Sequence, residues 1–222
     1  MADAPDMPKL TPNTRAERLR TLSHHRRESE RSQLQAQILD AAAALFVAEG
    51  YEGVSMRQVA ERIGYSATTI YRYYDSKDHL LFAIVHEGFR RFGEALWKAA
   101  KKTKDPLSKL KAVCAAYVKF GLKNPVYYRL MFMQRSDFLF HSRDDKAPMI
   151  ASFGLLQNLV AEGMAKGILE RGDPETTSTV IWAVGHGITA LALADPKRFT
   201  PRRLRQSMEV SMQMILHGLS RR

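Results

Sequence analysis

Apolar residues recur along this chain at helical spacing, and no stretch alternates apolar with polar as a half-buried strand does. Ile38, Ala42, Leu45 and Phe46 fall at i, i+4, i+7 and i+8, one face of a helix from about Gln33 to Glu49. Gly50 follows the last periodic position and suits a left-handed cap. Val59, Ala60 and Ile63 form a second, shorter face that Gly64 stops, and Ser66 opens a third with Ala67, Ile70 and Tyr74 inward. Ser55 precedes the second run with Gln58 three residues later, a capping-box signature. Two short helices joined at a glycine have the outline of a helix-turn-helix. Ser76 can then cap a long fourth helix through Lys102, its inner side formed by Leu80, Leu81, Ile84, Phe89, Phe92 and Leu96.

Beyond Lys102, proline supplies the punctuation. Asp105-Pro106, Asn124-Pro125, Asp173-Pro174 and Thr200-Pro201 each pair a good N-cap residue with proline at the first helical position. A further start falls near Pro148, after the polar run Ser142 to Lys146. The spacing predicts five helices at about 106–122, 125–135, 148–169, 174–194 and 201–219, so the fold class is all-α. The segment Pro125 to Arg135 is apolar almost all round, which calls for burial on most sides or for a cavity wall. Tyr117, Phe120, Phe138, Phe140 and Phe153 are placed to share that space. On the last helix Leu204, Met208, Met212, Ile215 and Leu219 make one stripe, which Val210 and Met214 widen beyond what a single core contact requires.

The composition narrows the class. With 222 residues, 45% of them hydrophobic and 26% charged, the chain can bury a proper core. One cysteine, Cys114, excludes a disulfide framework within the chain and fits a reducing compartment, so a cytoplasmic location is expected. The first twenty residues lack the apolar segment of a signal peptide, and no uninterrupted apolar run approaches the roughly 20 residues of a membrane span. The net charge of +11 is not carried by the helix-turn-helix region. Residues 33–80 hold four basic side chains (Arg57, Arg62, Arg72, Lys77) against six acidic ones, a balance of −2. The excess lies between Arg15 and Arg31, between Arg90 and Lys111, and from Arg202 to Arg222, so basicity alone does not establish nucleic-acid binding. Residues 1 to about 12 read as disordered, and 1–32 together as a disordered or partly helical basic arm. From Thr14 to Arg31 two readings stand: an arm that follows phosphates or enters a minor groove, and a solvated extension of the first helix.

On the third helix, steps of about 100° per residue put Thr68 and Arg72 opposite Ile70, flanked by Thr69 and Tyr71. This outward face lacks the Glu and Lys of an ordinary solvated face and carries groups that donate to phosphates and reach base edges. The run QILDAAAALFVAEGYEGVSMRQVAERIGYSATTIYRYYDSKDHLLFAIV, residues 37 to 85, resembles the DNA-binding domain of the TetR family of bacterial transcription regulators. The resemblance rests on the Ala-rich helix ending in Phe46 and Gly50, the Val59-Ala60 pair, Gly64, Thr69-Ile70-Tyr71, and the exit Tyr74-x-x-Lys77-x-x-Leu80. At position 74 the family more often has Phe, so Tyr74 is expected to bury its ring with the hydroxyl at the edge.

The resemblance implies a helix-turn-helix DNA-binding domain over 33–80 and a C-terminal helical ligand-binding and dimerisation domain over 81–222. It implies a homodimer formed through the last two helices, about 174–194 and 201–219, on a palindromic double-stranded DNA operator. Thr68, Thr69 and Arg72 become candidates for base edges. Arg57, Tyr71, Tyr73 and Lys77 become candidates for phosphates, and Ser55 would place helix N-terminal amides against the backbone. NPVYYRLMF together with Trp182, His186 and Gly187 also resembles TetR-family C-terminal domains named for a Trp-His-Gly motif, although Gly185 stands here where that Trp would be.

By residue type alone, the Met- and aromatic-rich segment reads as plain core or as a cavity. The resemblance implies a cavity for a small apolar effector, with Cys114, Tyr117, Tyr128, Met131, Phe132, Phe153, Trp182 and His186 as candidate lining. His186 would serve either as a donor to a ligand or as a satisfied core histidine. The seven histidines show no metal-ligand spacing, Cys114 has no nearby histidine in sequence, and no glycine-rich phosphate loop or G-x-S-x-G element is present. No cofactor, no metal and no enzymatic activity are therefore expected. The expected function is ligand-responsive transcriptional regulation, as a repressor. The alternative is a small-molecule carrier whose helix-turn-helix no longer reads DNA.

Overall fold

The computed structural model describes residues 15–133 and 147–219, and all of its described elements are helices. In chain order they are α1 (Arg15–Gly53), α2 (Met56–Arg62), α3 (Ala67–Tyr71), α4 (Lys77–Ala100), α5 (Pro106–Lys123), α6 (Pro125–Phe132), α7 (Ala147–Ala165), α8 (Pro174–Ala194) and α9 (Pro201–Leu219). The expected disorder of residues 1–12, the ring positions of Phe138 and Phe140, and the polar run 142–146 lie outside the described residues.

Two boundaries correct the sequence reading. The first helix does not start near Gln33 but continues back to Arg15, so the basic segment is an exposed helical extension. Gly50 takes a positive φ of 74° as expected, but its ψ of 170° makes a sharp kink within α1 rather than a left-handed cap. Downstream, α7 ends at Ala165 instead of residue 169. Gly167 N donates to Met164 O at 3.1 Å and Ile168 N to Gly163 O at 2.9 Å, the paired bonds of a Schellman end.

Three of the four proline-marked starts are capped by the residue before the proline. Asp105 accepts from Ser108 N at 2.8 Å, Asp173 from Thr176 N at 2.8 Å, and Thr200 from Arg203 N at 3.3 Å. Asn124 is the exception. Its side chain donates back to Phe120 O at 3.0 Å, so it closes α5 instead of capping α6.

One continuous core runs from the helix-turn-helix into the C-terminal helices. Ile38, Phe46, Val59 and Ile70 pack with Leu80 and Ile84 of α4, and the same core continues through Phe89, Phe92 and Leu96 to Tyr117 and Tyr128. Helix α4 packs on α1, α5, α6 and α7, so it is shared by both halves of the chain rather than linking them as a tether. A smaller cluster of Leu110, Leu156, Val160, Met164, Leu169 and Ile181 joins α5, α7 and α8. At the crossing of α5 and α8, a Cβ on Gly121 would lie 2.4 Å from Thr189 Cγ2 and 2.9 Å from Tyr128 Cδ2. Only glycine lets these helices approach so closely.

Helix α8 is long and apolar enough to cross a bilayer, although threonines and Ser178 interrupt its apolar run. Here it packs on α5, α7 and α9, with Ile181, Thr189 and Ala192 buried.

Candidate DNA-reading face and ligand cavity

Ser55 caps α2 as a capping box: Gln58 N donates to Ser55 Oγ at 3.2 Å, and Ser55 N donates to Gln58 Oε1 at 2.7 Å. Gly64 turns the chain with a φ of 76°, a region that side chains rarely enter. Ser66 Oγ then accepts from Thr69 N at 3.3 Å and caps α3. Ile70 is fully buried and Tyr74 nearly so, and burial pushes the Tyr74 phenol up to about 12. With these anchors inward, Thr68 and Arg72 stand exposed, and Tyr71 is 51% exposed.

The other sequence candidates are more engaged. Thr69 is half-buried, its hydroxyl 3.0 Å from Ser66 Oγ, so it supports the cap before anything else. Exposed Arg57 pairs with Glu61 at 2.9 Å, a surface pair worth about 0–1 kcal/mol that a phosphate can displace. Lys77 donates to Tyr51 O at 2.8 Å with its ammonium 4.1 Å above the Tyr51 ring, which fixes the side chain and leaves two N–H donors for another acceptor. Tyr73 is half-buried, and the guanidinium of Arg31 lies 5.8 Å over its ring. Arg31 thus ties the helical extension to the end of α3, a contact that charge patterning could not reveal.

In the C-terminal half, α4, α5, α6, α7, α8 and α9 enclose a cavity of about 670 Å³. Of the eight lining candidates, Cys114, Tyr117, Met131, Phe132, Phe153, Trp182 and His186 form its wall. Tyr128 does not. It is completely buried behind Tyr117 and His186, because Gly121 lets its ring sink against α5. The sequence reading missed Phe89, Phe92 and Leu96 on α4, which it had assigned to plain core, and Ser152 and Leu156 on α7. It also missed that Met208, Met212 and Ile215 of the last helix's stripe turn inward onto the cavity. The outward face of α9 is instead carried by Val210 and Met214, and that of α8 by Val180 and Leu191.

A row of hydrogen-bonded polar groups stands beside the cavity. Tyr117 and Tyr128 hydroxyls lie 2.9 Å apart, Tyr128 Oη lies 2.7 Å from His186 Nδ1, and Trp182 Nε1 donates to Tyr117 Oη at 3.0 Å. Burial pushes the Tyr117 phenol well above its ordinary range, raises that of Tyr128 and lowers the imidazole of His186. The Cys114 thiol, enclosed by the cavity wall, is pushed by burial up to about 12 and stays protonated. His186 is thus hydrogen-bonded at one nitrogen, as a satisfied core histidine is, and also forms part of the cavity wall. Among the described residues no group of His, Cys, Asp and Glu could hold a metal ion.

The family model described as "Bacterial regulatory proteins, tetR family" matches residues 38–84, and one described as "Tetracyclin repressor-like, C-terminal domain" matches 110–215. This chain belongs to the TetR family. It is 35% identical to the HTH-type transcriptional repressor KstR of Mycolicibacterium smegmatis over 94 residues, 42% of this chain and 46% of that repressor. It is 27% identical to the KstR repressor of Rhodococcus jostii over 190 residues, 83% of this chain and 84% of that protein. Among solved structures, the fatty acid degradation regulator FadR from Bacillus halodurans superposes with a TM-score of 0.73 at 20% identity, over 85% of this chain and 97% of that one. That likeness speaks for the fold. TetR-family proteins are DNA-binding transcriptional regulators rather than enzymes.

Proposed function

We propose that this TetR-family chain is a transcriptional repressor, acting in the cytoplasm, that binds a palindromic operator as a homodimer and is released by a small apolar effector. The observation that carries the reading is the double duty of α4. Its N-terminal turns bury Leu80, Leu81 and Ile84 against the helix-turn-helix core, and its later turns give Phe89, Phe92 and Leu96 to the cavity wall. A ligand that displaces those later residues tilts the helix on which the reading head is mounted. Thr68, Thr69 and Arg72 read base edges in this proposal. Arg57, Tyr71, Tyr73 and Lys77 hold phosphates, with the N-terminus of α2 behind Ser55 against the backbone.

The partner surface is the apolar face of α8 and α9, where Val180, Leu191 and Met214 are 54%, 56% and 70% exposed. A two-fold axis there sets two recognition helices to meet half-sites about 34–36 Å apart. Selecting binders from a random duplex pool at physiological salt tests the whole reading. An inverted repeat with half-sites about one helical turn apart is expected, bound about 10³-fold or more above bulk DNA. Recovery of no repeat, or equal affinity for bulk DNA, refutes it.

A further inference from the structure

The polar row beside the cavity has a direction. An indole N–H can only donate, so Trp182 gives its hydrogen to the Tyr117 oxygen, 3.0 Å away. The Tyr117 proton then goes to Tyr128, and the Tyr128 proton to His186 Nδ1 at 2.7 Å. At 2.7 Å the Tyr128–His186 contact has the length of a bond given by a hydroxyl rather than by a ring N–H, which fits Nδ1 as the acceptor. Nδ1 is therefore a bare lone pair. Burial also disfavours the imidazolium, so the ring is neutral and its one proton sits on Nε2. No hydrogen bond to Nε2 exists among the described residues, while His186 forms part of the cavity wall with Phe132 and Trp182 beside it.

The charges around the cavity limit the ligand further. Among the described lining residues there is no Lys and no Arg, and the one ionised side chain is the carboxylate of Glu175 in the first turn of α8. Among the described residues an anion entering this space finds no countercharge and meets a negative group, and burying it uncompensated is expensive.

We infer that the effector is a neutral, apolar molecule bearing a ketone- or ester-type oxygen, which accepts the hydrogen bond of His186 Nε2–H, and that carboxylates of the same size are rejected. The inference rests on the ligand-sensing reading above and specifies which chemistry that site selects. Tyr128, Tyr117 and Trp182 act as positioning residues that hold the imidazole in its donor tautomer.

The test uses the full chain carrying Trp97→Phe, so that Trp182 is the fluorescent reporter. The probes are tridecan-2-one, tridecane and dodecanoate, close in length and differing in their polar end, at about pH 8. The ketone is expected to bind about tenfold tighter than the alkane, one good hydrogen bond's worth, with dodecanoate weakest. In His186→Phe the ketone-to-alkane ratio falls to about one while alkane binding persists, and His186→Gln, whose amide N–H reaches toward the Nε2 position, recovers part of it. Dodecanoate binding as tightly as the ketone, or a ratio unchanged in His186→Phe, overturns the inference. If all three probes bind alike, only the inference fails. If none binds while a selected operator duplex still does, ligand sensing by this cavity fails with it.

Discussion

Tyr127 on α6 donates its hydroxyl to Asp40 Oδ1 on α1 across 2.6 Å, joining a cavity-wall helix to the first helix of the reading domain. Arg91 of α4 completes the junction, with its guanidinium 4.8 Å over the Tyr127 ring, 3.7 Å from Asp40 and bonded at 2.7 Å to Glu87. Burial pushes the Glu87 carboxyl up, but the bonds from Arg90 and Arg91 outweigh it and hold the group below its ordinary range. Three helices thus meet at one charged, hydrogen-bonded point between Met131 in the cavity wall and the core around Ile38.

Tyr127→Phe should therefore leave both binding sites built while loosening their connection. The expected stability loss is about 1 kcal/mol, and the effector–operator coupling should shrink by about 0.5–1.5 kcal/mol. Effector affinity measured with and without operator duplex gives the coupling directly. Unaltered coupling would show that the junction is only structural.

Arg72→Ala should cost about 1–3 kcal/mol on the selected operator and little on bulk DNA, with stability changed by less than about 0.5 kcal/mol because the side chain is exposed. Lys77→Ala should weaken every duplex alike and reduce the salt slope by about one. Unlike Arg72→Ala it should also lower Tm, since it removes the bond to the Tyr51 carbonyl and the cation over the Tyr51 ring. Mobility-shift titrations at several salt concentrations and a melting curve separate the two variants; identical losses on both DNAs would reject the division of roles.

Gly121→Ala places a methyl 2.4 Å from Thr189 Cγ2, and overpacking of this kind costs about 1–3 kcal/mol in urea unfolding. Thr189→Ser removes that methyl and keeps the hydroxyl, so the double variant should regain part of the loss. Additive losses would mean that Tyr128, not Thr189, sets the limit.

The imidazole of His186 is held below its ordinary value of 6.5 by burial, so the native state takes up its proton later than the unfolded chain does. Between 6.5 and the depressed native value the unfolded state binds more protons, so stability rises with pH there and is lost as pH falls through that window. Chemical denaturation between about pH 7.5 and 5 should show this slope, reduced in His186→Phe. An unaltered slope would assign it to other groups.

Met214→Glu puts a charge on the most exposed apolar side chain of α9 without touching the described core. Size measurement should then give the mass of one 25.2-kDa chain instead of two, with the inverted repeat bound far more weakly than by the parent. A dimer that survives the change would move the interface elsewhere.

The helix order and the reading head were legible because their signals are local: the Ser55–Gln58 box, Gly64, Ile70 with Tyr74, and Asp-Pro starts. The cavity was legible only in part. Cys114, Tyr117 and Trp182 stood out by type, whereas Phe89 and Phe92 have the same helical spacing whether their rings meet a neighbour or an empty space. Tyr128 was misassigned because its depth depends on Gly121 and Thr189, one of them 61 residues further on, and periodicity carries no information about such an approach. On α9 the sequence shows that apolar residues exceed one strip, but not that the strip of Met208, Met212 and Ile215 meets a cavity while Val210 and Met214 face out.

The helical extension from Arg15 has a mechanical consequence. From Gln33 back to Arg15 is 18 residues, a rod of about 27 Å at 1.5 Å per residue. Pivoting the base of that rod by about 10° sweeps its arginine-studded tip through roughly 5 Å, nearly the width of a minor groove. If the extension follows the duplex in the proposed complex, a displacement too slight to lift α3 out of its groove would already carry those cations off their phosphates.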